Sequence, residues 1–535
     1  MGIRRNWVGG PGAGKTYKLQ EEIGWLLEDG VPGERIYATS YSVAAAQVLK
    51  ARAGDELPKE NIGTLHSAGY RKISGHVLGG KKMGGKKDAT DEWNEQYPRW
   101  AIRRDGYSSD PYDALGDGER LLAASSKLRH LLKPEDDWAA RLWDWSVADK
   151  EDFFRFWEAW KRFKRLEGVV DFEDMIEMPL REGWLPPNGC THLVVDEWQD
   201  LTPLERQLVF NWFIRGELEL LVTGGDPYQS INGYRGADPL FEMPENEMQM
   251  RYLLHSNRMP SAVVDWSEAW IRQWGERPER KPMEPVREGG QVVRRPEWTL
   301  KNAEHWLDQV ENEGSVVLLA STNFLINRLV PVLRAKGIRF ANPHRPAQGN
   351  WNPIEMKNAT SMVSRVLAWH RFFVEGERTV GNLRKVSGLF KTKGIVGNQV
   401  AMDKALAQMP AEARLDDEWM AEHWLDEAAV GTMERLMPLG SSERAVAAMK
   451  YVEAMLGRGG ADYARGEPRV HIGTVHSYKG HEADTVVVFP DVSKAAAKEA
   501  EFGSSELLRV FYVAGTRAKD TLVLAGSENK YRMWR

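Results

Sequence analysis

Short apolar runs rich in β-branched residues recur along the chain, and each is followed by a helix-like stretch. The clearest are RIYATS (35–40), HLVVDE (192–197), LELLVTGG (218–225), VVLLAS (316–321), TVVVFP (485–490) and TLVLAG (521–526). Strands that alternate with helices favour parallel sheets with helices on both faces. We therefore predict an α/β fold. Because the runs fall into two sets, separated at about residues 250–310, we expect two parallel-sheet domains with a cleft between them.

The segment GGPGAGKT at 9–16 matches the phosphate-binding pattern GxxxxGK[ST]. Its glycines allow backbone N–H groups to turn inward around phosphates. Lys15 can place a positive charge on the outer phosphates, and the Thr16 hydroxyl can ligate Mg²⁺. An apolar stretch precedes this P-loop and a helix-compatible stretch follows it. The residues predicted to cradle a nucleotide are Gly9, Gly10, Gly12, Ala13, Gly14, Lys15 and Thr16.

Two adjacent carboxylates end the apolar run at 192–197. Asp196 is predicted to hold Mg²⁺ through its water shell, and Glu197 to polarise the water that attacks the γ-phosphorus. The alternative interpretation is a solvated turn. The P-loop upstream and the neighbouring Gln199 and Asp200 favour the catalytic one. The sequence therefore predicts an ATP-hydrolysing site that uses Mg²⁺.

The segment DEWQD resembles the DExxQD signature of the UvrD/Rep family of superfamily 1 DNA helicases, and further motifs of that family follow. The resembling stretches are YATSYSVAAAQVL (37–49), IGTLHSAGYRKI (62–73), DFEDM (171–175), GDPYQSINGYRGAD (225–238), LLHSNRMPS (253–261), GTVHSYKGHEADTVVVF (473–489) and ELLRVFYVAGTRAKDTLVL (506–524). The resemblance implies a DNA-unwinding motor driven by ATP.

The resemblance also implies two RecA-like P-loop motor domains, each interrupted by a mainly helical subdomain. Helical spacing of Phe153, Trp157, Trp160 and Phe163 supports the first of these insertions. We assign residues 1–70 and 169–249 to the first motor domain, 71–168 to its insertion, 250–345 and 465–535 to the second motor domain, and 346–464 to a second, short insertion.

Four residues outside the P-loop and the acidic pair are implied to reach the nucleotide. Gln229 would sense the γ-phosphate, and Glu482 would contact the ribose. Arg258 and Arg517 would act as arginine fingers, because hydrolysis spreads negative charge over the γ-phosphoryl oxygens. These arginines belong to the second motor domain and the P-loop to the first. Catalysis would therefore require the cleft to close.

Contacts with single-stranded DNA are implied in both motor domains. Aromatic rings suit such a track because every base has a π-face. Tyr41 and Tyr234 are the candidate stacking residues, although tyrosines also commonly pack within domain edges. The residues implied to contact DNA are Tyr41, Thr64, His66, Tyr234, Arg235, Thr474 and His476.

The chain departs from the family's pattern around the base of the nucleotide. The adenine-reading glutamine upstream of the P-loop is absent, since eight residues precede Gly9. Asn257 stands where the family often has a tyrosine, and Tyr17 where a basic residue is common. We therefore expect either weak discrimination among nucleotides or discrimination supplied by another part of the chain. In the segment at 225–238, Asn232 stands where the family often has a tyrosine, so one stacking contact of the family is not expected here.

Composition narrows the remaining possibilities. A single cysteine excludes an internal disulfide, and the formal net charge of -5 requires a local basic track for nucleic acid. No apolar run is long enough to span a membrane and no export signal is evident. We therefore expect a cytoplasmic protein, at the nucleoid or in a phage-infected bacterial cell. No nuclease domain is expected, because the chain ends at Arg535 soon after TLVLAG.

The sequence thus predicts a helicase that moves 3′ to 5′ on single-stranded DNA and unwinds duplex during replication, repair or recombination. Single-stranded DNA and its junctions with duplex are the expected partners, together with repair, replication or defence proteins. One alternative is a translocase or ATPase subunit of a repair or defence complex that does not unwind DNA by itself. Another is a nucleotide-gated regulatory protein without motor activity.

Overall fold

The computed structural model describes residues 2–40, 57–76, 87–102, 116–133, 150–240, 248–278, 280–310, 314–345, 351–352, 362–387, 399–423, 443–501 and 503–534. Two six-stranded sheets and one two-stranded sheet form within these ranges. All paired strands in them are parallel. The predicted α/β fold class is confirmed. Within the described ranges, no helix has the length and apolar character needed to cross a membrane.

The first sheet contains β1 (Ile3–Gly9), β2 (Ile36–Ser40), β3 (Ile62–Gly63), β4 (His192–Asp196), β5 (Leu220–Gly225) and β6 (Met248–Leu253). Their spatial order is β3-β2-β4-β5-β1-β6. Every residue of β2, β4 and β5 is buried, which explains their nearly continuous apolar sequences. Because β6 pairs with β1, the predicted boundary at residues 249 and 250 falls inside a strand of this sheet.

The remaining strands are β7 (His255–Pro260), β8 (Glu284–Arg287), β9 (Gln291–Arg295), β10 (Val316–Ala320), β11 (Phe340–Ala341), β12 (Val470–Thr474), β13 (Ala483–Val488) and β14 (Ala518–Ala525). The second large sheet has the order β11-β12-β10-β13-β14-β9. Strands β7 and β8 form the small sheet, which lies close to the P-loop. The two large sheets therefore correspond to the two sets of apolar runs in the sequence.

The helices up to β6 are Lys15–Glu28, Leu65–His76, Lys87–Gln96, Asp117–His130, Lys150–Glu167, Asp174–Glu182 and Pro203–Ile214. The first insertion has its own aromatic core, in which the four rings singled out by helical spacing are buried with Trp93. Arg129 ties this insertion to the first motor domain, because its buried guanidinium pairs with Asp171, Asp174 and Glu177. These carboxylates belong to or adjoin the DFEDM segment.

The second motor domain contains helices Ser261–Ile271, Leu307–Val310, Asn323–Ile326, Leu329–Ala335, Val475–Tyr478, Lys494–Glu501 and Glu506–Gly515. The second insertion contains helices Met362–Trp369, Val380–Ser387, Gln399–Ala407, Asp417–Glu422 and Glu443–Arg465, and a π-helical turn at His370–Val374. Val366 and Phe372 of the insertion share one apolar core with Leu318 and Ile472 of the second sheet. The described part of this insertion therefore packs against the second sheet and shares its hydrophobic core.

Candidate functional site

The P-loop joins β1 to helix Lys15–Glu28 and has the backbone of a phosphate-binding loop. Gly12 and Gly14 have φ angles of 74° and 81°, a left-handed conformation that favours glycine. The buried Lys15 ammonium donates to the carbonyl oxygens of Gly9 at 2.9 Å and Gly10 at 3.1 Å. Burial lowers the pKa of Lys15. The lysine thus lies within the loop that it is predicted to complete around phosphates.

The two carboxylates at the end of β4 face this loop. The Thr16 hydroxyl donates to Asp196 Oδ2 at 2.8 Å. Glu197 has a left-handed backbone with φ 53° and ψ 44°, and the Gln199 side-chain amide donates to its carboxylate. A non-glycine residue in this region is uncommon and is often found at functional sites.

Electrostatics gives the two carboxylates different protonation behaviour. Burial and the neighbouring charge of Glu197 raise the pKa of Asp196 to about 6. Burial would also raise the pKa of Glu197, but the positive charges of Lys479 and Lys15 outweigh it and lower that pKa. Glu197 is therefore kept ionised, as a proton acceptor must be.

A divalent cation fits the oxygen donors at this position. Magnesium prefers oxygen ligands, and the Thr16 hydroxyl and Asp196 carboxylate are already within hydrogen-bonding distance of each other. These two residues would hold Mg²⁺, which would neutralise part of the charge on a bound triphosphate.

The small sheet brings the second half of the chain against the P-loop. Ser256 Oγ donates to the carbonyl of Pro11 at 2.9 Å, and the Asn257 backbone N–H donates to that of Gly12 at 3.0 Å. A Cβ at Gly12 would lie 2.5 Å from Cβ of Arg258. Only glycine fits this close approach, so Gly12 is required by both its φ angle and its neighbour.

The predicted arginine fingers lie in the same cleft. The buried Arg517 donates from Nη2 to Gln229 Oε1 at 3.0 Å, which joins the two motor domains. Arg258 Nε donates to Glu482 Oε2 at 2.7 Å, and its charge acts on Lys15. Burial and the like charge of Arg258 lower the pKa of Arg517 to about 9. The structure therefore brings together the residues predicted to act in hydrolysis, Lys15, Glu197, Gln229, Arg258 and Arg517.

Lys479 connects the two motor domains, a role that was not predicted for it from the sequence. Its ammonium donates to Asp200 Oδ2 at 2.5 Å and to the Gln229 carbonyl at 2.8 Å. Burial raises the pKa of Asp200 to about 6, although Lys479 opposes this shift. The signal was present, because Lys479 lies between His476 and Glu482, which had both been assigned roles.

We expect Lys479→Met to destabilise the chain by about 3–5 kcal/mol, since it leaves the buried Asp200 carboxylate without its counter-charge. Lys519→Met is the matched control, because it breaks the exposed pair of Lys519 with Asp484 and should cost about 0–1 kcal/mol. Urea unfolding of both variants measures the difference. Equal effects would show that the Lys479 pair does not stabilise the closed interface.

The predicted DNA contacts include a repeated sequence, GTLHS at 63–67 and GTVHS at 473–477. The first copy begins at the last residue of β3, and the second begins near the end of β12. The Thr64 hydroxyl accepts a hydrogen bond from the Ser67 backbone at 3.1 Å, and Thr474 accepts one from Ser477 at 3.2 Å. The two motor domains therefore carry equivalent capping turns, a duplication that comparing the two segments would have found.

The two histidines of this repeat have different surroundings. His66 is buried against Phe172, with 3.9 Å between stacked ring centroids, and its Nδ1 lies 3.4 Å from Glu205 Oε1. Burial lowers the pKa of His66 to about 3, so the ring is neutral. Phe172 remains 44 % exposed. The contacts observed for His66 are with protein groups, and its contact with DNA stays a prediction.

His476 lies at the junction of the motor domains. Its Nε2 is 2.8 Å from the Ile231 carbonyl oxygen, and its ring meets Tyr234 edge to face at 5.7 Å. Arg235 pairs with the buried Glu205 at 2.8 Å. Tyr41, the other predicted stacking residue, lies outside the described residues.

Comparison with known families and proteins accords with this geometry. Residues 6–244 match the model of the UvrD/REP helicase N-terminal domain, and residues 452–529 match that of the UvrD-like helicase C-terminal domain. Together the two models cover more than half of the chain.

Curated relatives resemble the chain over part of their length. YjcD of Bacillus subtilis (strain 168) is 25% identical over 254 residues, 44% of this chain and 31% of the relative. The ATP-dependent DNA helicase UvrD2 of Mycobacterium bovis is 26% identical over 286 residues, 48% of this chain and 37% of the relative. The ATP-dependent DNA helicase PcrA of Staphylococcus epidermidis is 25% identical over 289 residues, 50% of this chain and 38% of the relative. The matches thus span about a third of the length of these relatives.

Proposed function

The chain belongs to the UvrD/Rep family of helicases, and on this premise we propose that it is an ATP-dependent DNA helicase that moves 3′ to 5′ along one strand. The observation that carries this proposal is the hydrogen bond between Arg517 and Gln229. It joins a buried cation of the second motor domain to a polar side chain beside the P-loop of the first. Such a cleft suits a reaction that develops charge on a γ-phosphoryl group.

In the proposed reaction, water attacks the γ-phosphorus of ATP and ADP is the leaving group. Glu197 accepts the proton of that water, and its lowered pKa supports this role. Lys15 balances charge on the outer phosphates, while Arg258 and Arg517 stabilise the equatorial oxygens. Gln229 reports the state of the γ-phosphate through its bond to Arg517.

Arg258 Nε donates to Glu482 Oε2 at 2.7 Å. We propose that a ribose hydroxyl takes over the Glu482 carboxylate and that Arg258 then turns to the phosphate. This exchange couples recognition of the sugar to assembly of the catalytic site. The base itself is recognised weakly, since Asn257 stands where the family often has a tyrosine that stacks on it.

Movement along DNA would follow from closing and opening of this cleft. The two GT[LV]HS turns occupy equivalent positions in the motor domains, so each could hold a different stretch of one strand. His476 and Tyr234 lie where the domains meet. A change in the cleft would therefore alter the distance between two grips, which is the requirement for translocation.

We expect Tyr234→Ala to weaken binding of single-stranded DNA by about 1–3 kcal/mol, because one base would lose its stacking partner. Trp25→Ala is the control, since Trp25 is 45 % exposed on the P-loop helix and lies outside the predicted DNA track. Fluorescence anisotropy with a labelled oligonucleotide measures both affinities. Unchanged affinity in Tyr234→Ala would mean that this ring packs only against protein.

Strand displacement tests the proposed unwinding and its direction. The chain should release a labelled strand from a duplex with a 3′ single-stranded tail, in the presence of ATP and Mg²⁺, and not from a 5′-tailed duplex. Lys15→Ala should abolish release. ATP hydrolysis stimulated by DNA without displaced strand would instead support a translocase that requires partners.

The expected partners are single-stranded DNA, its junctions with duplex, and proteins of replication, repair or defence. Because DNA is the proposed substrate, we place the protein in the cytoplasm near the nucleoid.

A further inference from the structure

Arg280 is a buried cation beside the P-loop that the proposed mechanism does not use. Its side chain is 1 % exposed, and Nη2 pairs with Glu268 at 2.5 Å. The guanidinium lies 4.4 Å from the centroid of the Tyr228 ring and 5.9 Å from that of Tyr512. Its Nε and Nη1 have no hydrogen-bond partner among the described residues. Arg280 therefore acts on its surroundings mainly through charge and packing.

One side of Arg280 touches the P-loop. A Cβ on Gly10 would lie 2.4 Å from Arg280 Nη1 and 1.9 Å from Sδ of Met283. No side chain fits there without displacing these groups. The backbone of the loop thus rests directly on Arg280 and Met283.

The other side of Arg280 faces Asp226, a fully buried carboxylate at the end of β5. Arg280 Nε lies 3.9 Å from Asp226 Oδ1, and the Tyr228 backbone N–H donates to the same oxygen at 3.1 Å. A buried carboxylate is costly unless a positive charge accompanies it. The Arg280 guanidinium supplies such a charge, and the positive charge of Lys15 also acts on Asp226.

Asp226 in turn fixes the orientation of Gln229. Gln229 Nε2 donates to Asp226 Oδ2 at 2.9 Å, so its side-chain oxygen is directed to Arg517, whose Nη2 donates to it at 3.0 Å. A carboxylate displaced from this position would no longer accept the Nε2 bond. The amide could then turn over and present its N–H₂ group to Arg517.

We propose that Arg280 is a positioning residue of the hydrolytic site. Its guanidinium packs beside the fully buried Asp226 carboxylate and holds it in place, and Asp226 holds the Gln229 amide with its oxygen toward Arg517. The Arg280 side chain also lies against Gly10, so it connects the orientation of the Gln229 amide to the P-loop. The inference rests on the proposed ATPase activity and adds a residue to it.

The test compares ATP turnover of the full chain with single-stranded DNA in Arg280→Met, Arg280→Lys and the control Arg287→Met. Arg280→Met should lower kcat by about 100-fold, the effect of a small misplacement in a catalytic site, with the KM for ATP within about threefold of the wild-type value. Arg280→Lys should recover most of kcat. Arg287→Met should leave kcat close to the wild-type value, because Arg287 forms only an exposed pair with Asp520.

The combination with Gln229→Ala separates positioning from a general structural role. If Arg280 acts through Gln229, Arg280→Met should cause little further loss of kcat in the Gln229→Ala background. The same 100-fold loss in both backgrounds, wild-type kcat in Arg280→Met, or no recovery in Arg280→Lys would each overturn the proposal.

Binding of a fluorescent ATP analogue identifies variants that fail to fold. If Arg280→Met does not fold, Arg280→Met combined with Asp226→Asn replaces it, because the fully buried carboxylate at Asp226 is then removed and the remaining partner of Arg280, Glu268, is partly exposed. This double variant should bind the analogue and match the turnover of Asp226→Asn alone; a further loss of turnover would overturn the proposal. A wild-type chain without turnover would contradict the proposed function, whereas normal turnover in Arg280→Met contradicts only the role of Arg280.

Discussion

Arg517→Ala is expected to lower ATP turnover by about 10³- to 10⁵-fold, the contribution known for arginine fingers, with little change in affinity for nucleotide or single-stranded DNA. Arg517 is buried at the junction of the motor domains and donates to Gln229. Its charge would meet the γ-phosphoryl group only as negative charge develops there. Stabilisation limited to the transition state appears in kcat and hardly in KM.

The measurement combines steady-state hydrolysis with separate titrations of nucleotide and DNA. Arg532→Ala is a suitable control, because Arg532 is an exposed arginine whose side chain, within the described part of the chain, donates only to nearby backbone carbonyls, those of Ser527 and Asn529. Arg517→Lys should restore little activity, since an ammonium lacks the planar donors of a guanidinium. Weakened DNA binding with normal hydrolysis would contradict the assignment.

Glu197→Gln should retain nucleotide binding and lose about 10²- to 10⁴-fold in turnover, the usual contribution of a general base. The amide preserves the size of the side chain but cannot accept a proton. Lys479 and Lys15 lower the pKa of Glu197, so the wild-type residue is ionised at neutral pH. Removing this negative charge beside the phosphate loop should leave nucleotide affinity equal or higher.

Single-turnover hydrolysis and equilibrium binding together test this second expectation. Glu21→Gln serves as the matched control, because Glu21 pairs with Lys18 on the partly exposed face of the P-loop helix. Turnover retained in Glu197→Gln would show that another group positions the attacking water.

The parts of the fold that could be predicted are those in which local sequence and tertiary position agree. Strands β2, β4 and β5 are entirely buried, so their apolar runs were recognisable. Strand β6 was missed because its sequence MQMRYL contains no β-branched residue and lies at the edge of the sheet. Its place there depends on pairing with β1, which no local pattern records.

The second insertion illustrates the same limit. Its helices were implied by the family resemblance, but their sharing of one core with the second sheet depends on contacts between residues far apart in sequence, such as Phe372 and Leu318. Hydrophobic spacing predicts which face of a helix is buried. It does not predict which other element packs against that face.

The P-loop and the acidic pair could be predicted because their function is encoded in consecutive residues. Lys479 and Arg280 could not, since each acquires its role from partners on other elements, Asp200 for one and Asp226 for the other. The burial of His66 likewise depends on Phe172, more than a hundred residues away.

The central claim is that one cleft hydrolyses ATP in response to a bound DNA strand. The most direct measurement is the rate of ATP hydrolysis by the full chain with and without single-stranded DNA, for the wild type and Lys15→Ala. We predict that DNA accelerates hydrolysis by the wild type and that Lys15→Ala hydrolyses at background level in both conditions. A wild-type rate unaffected by DNA, or hydrolysis that survives the loss of Lys15, would contradict it.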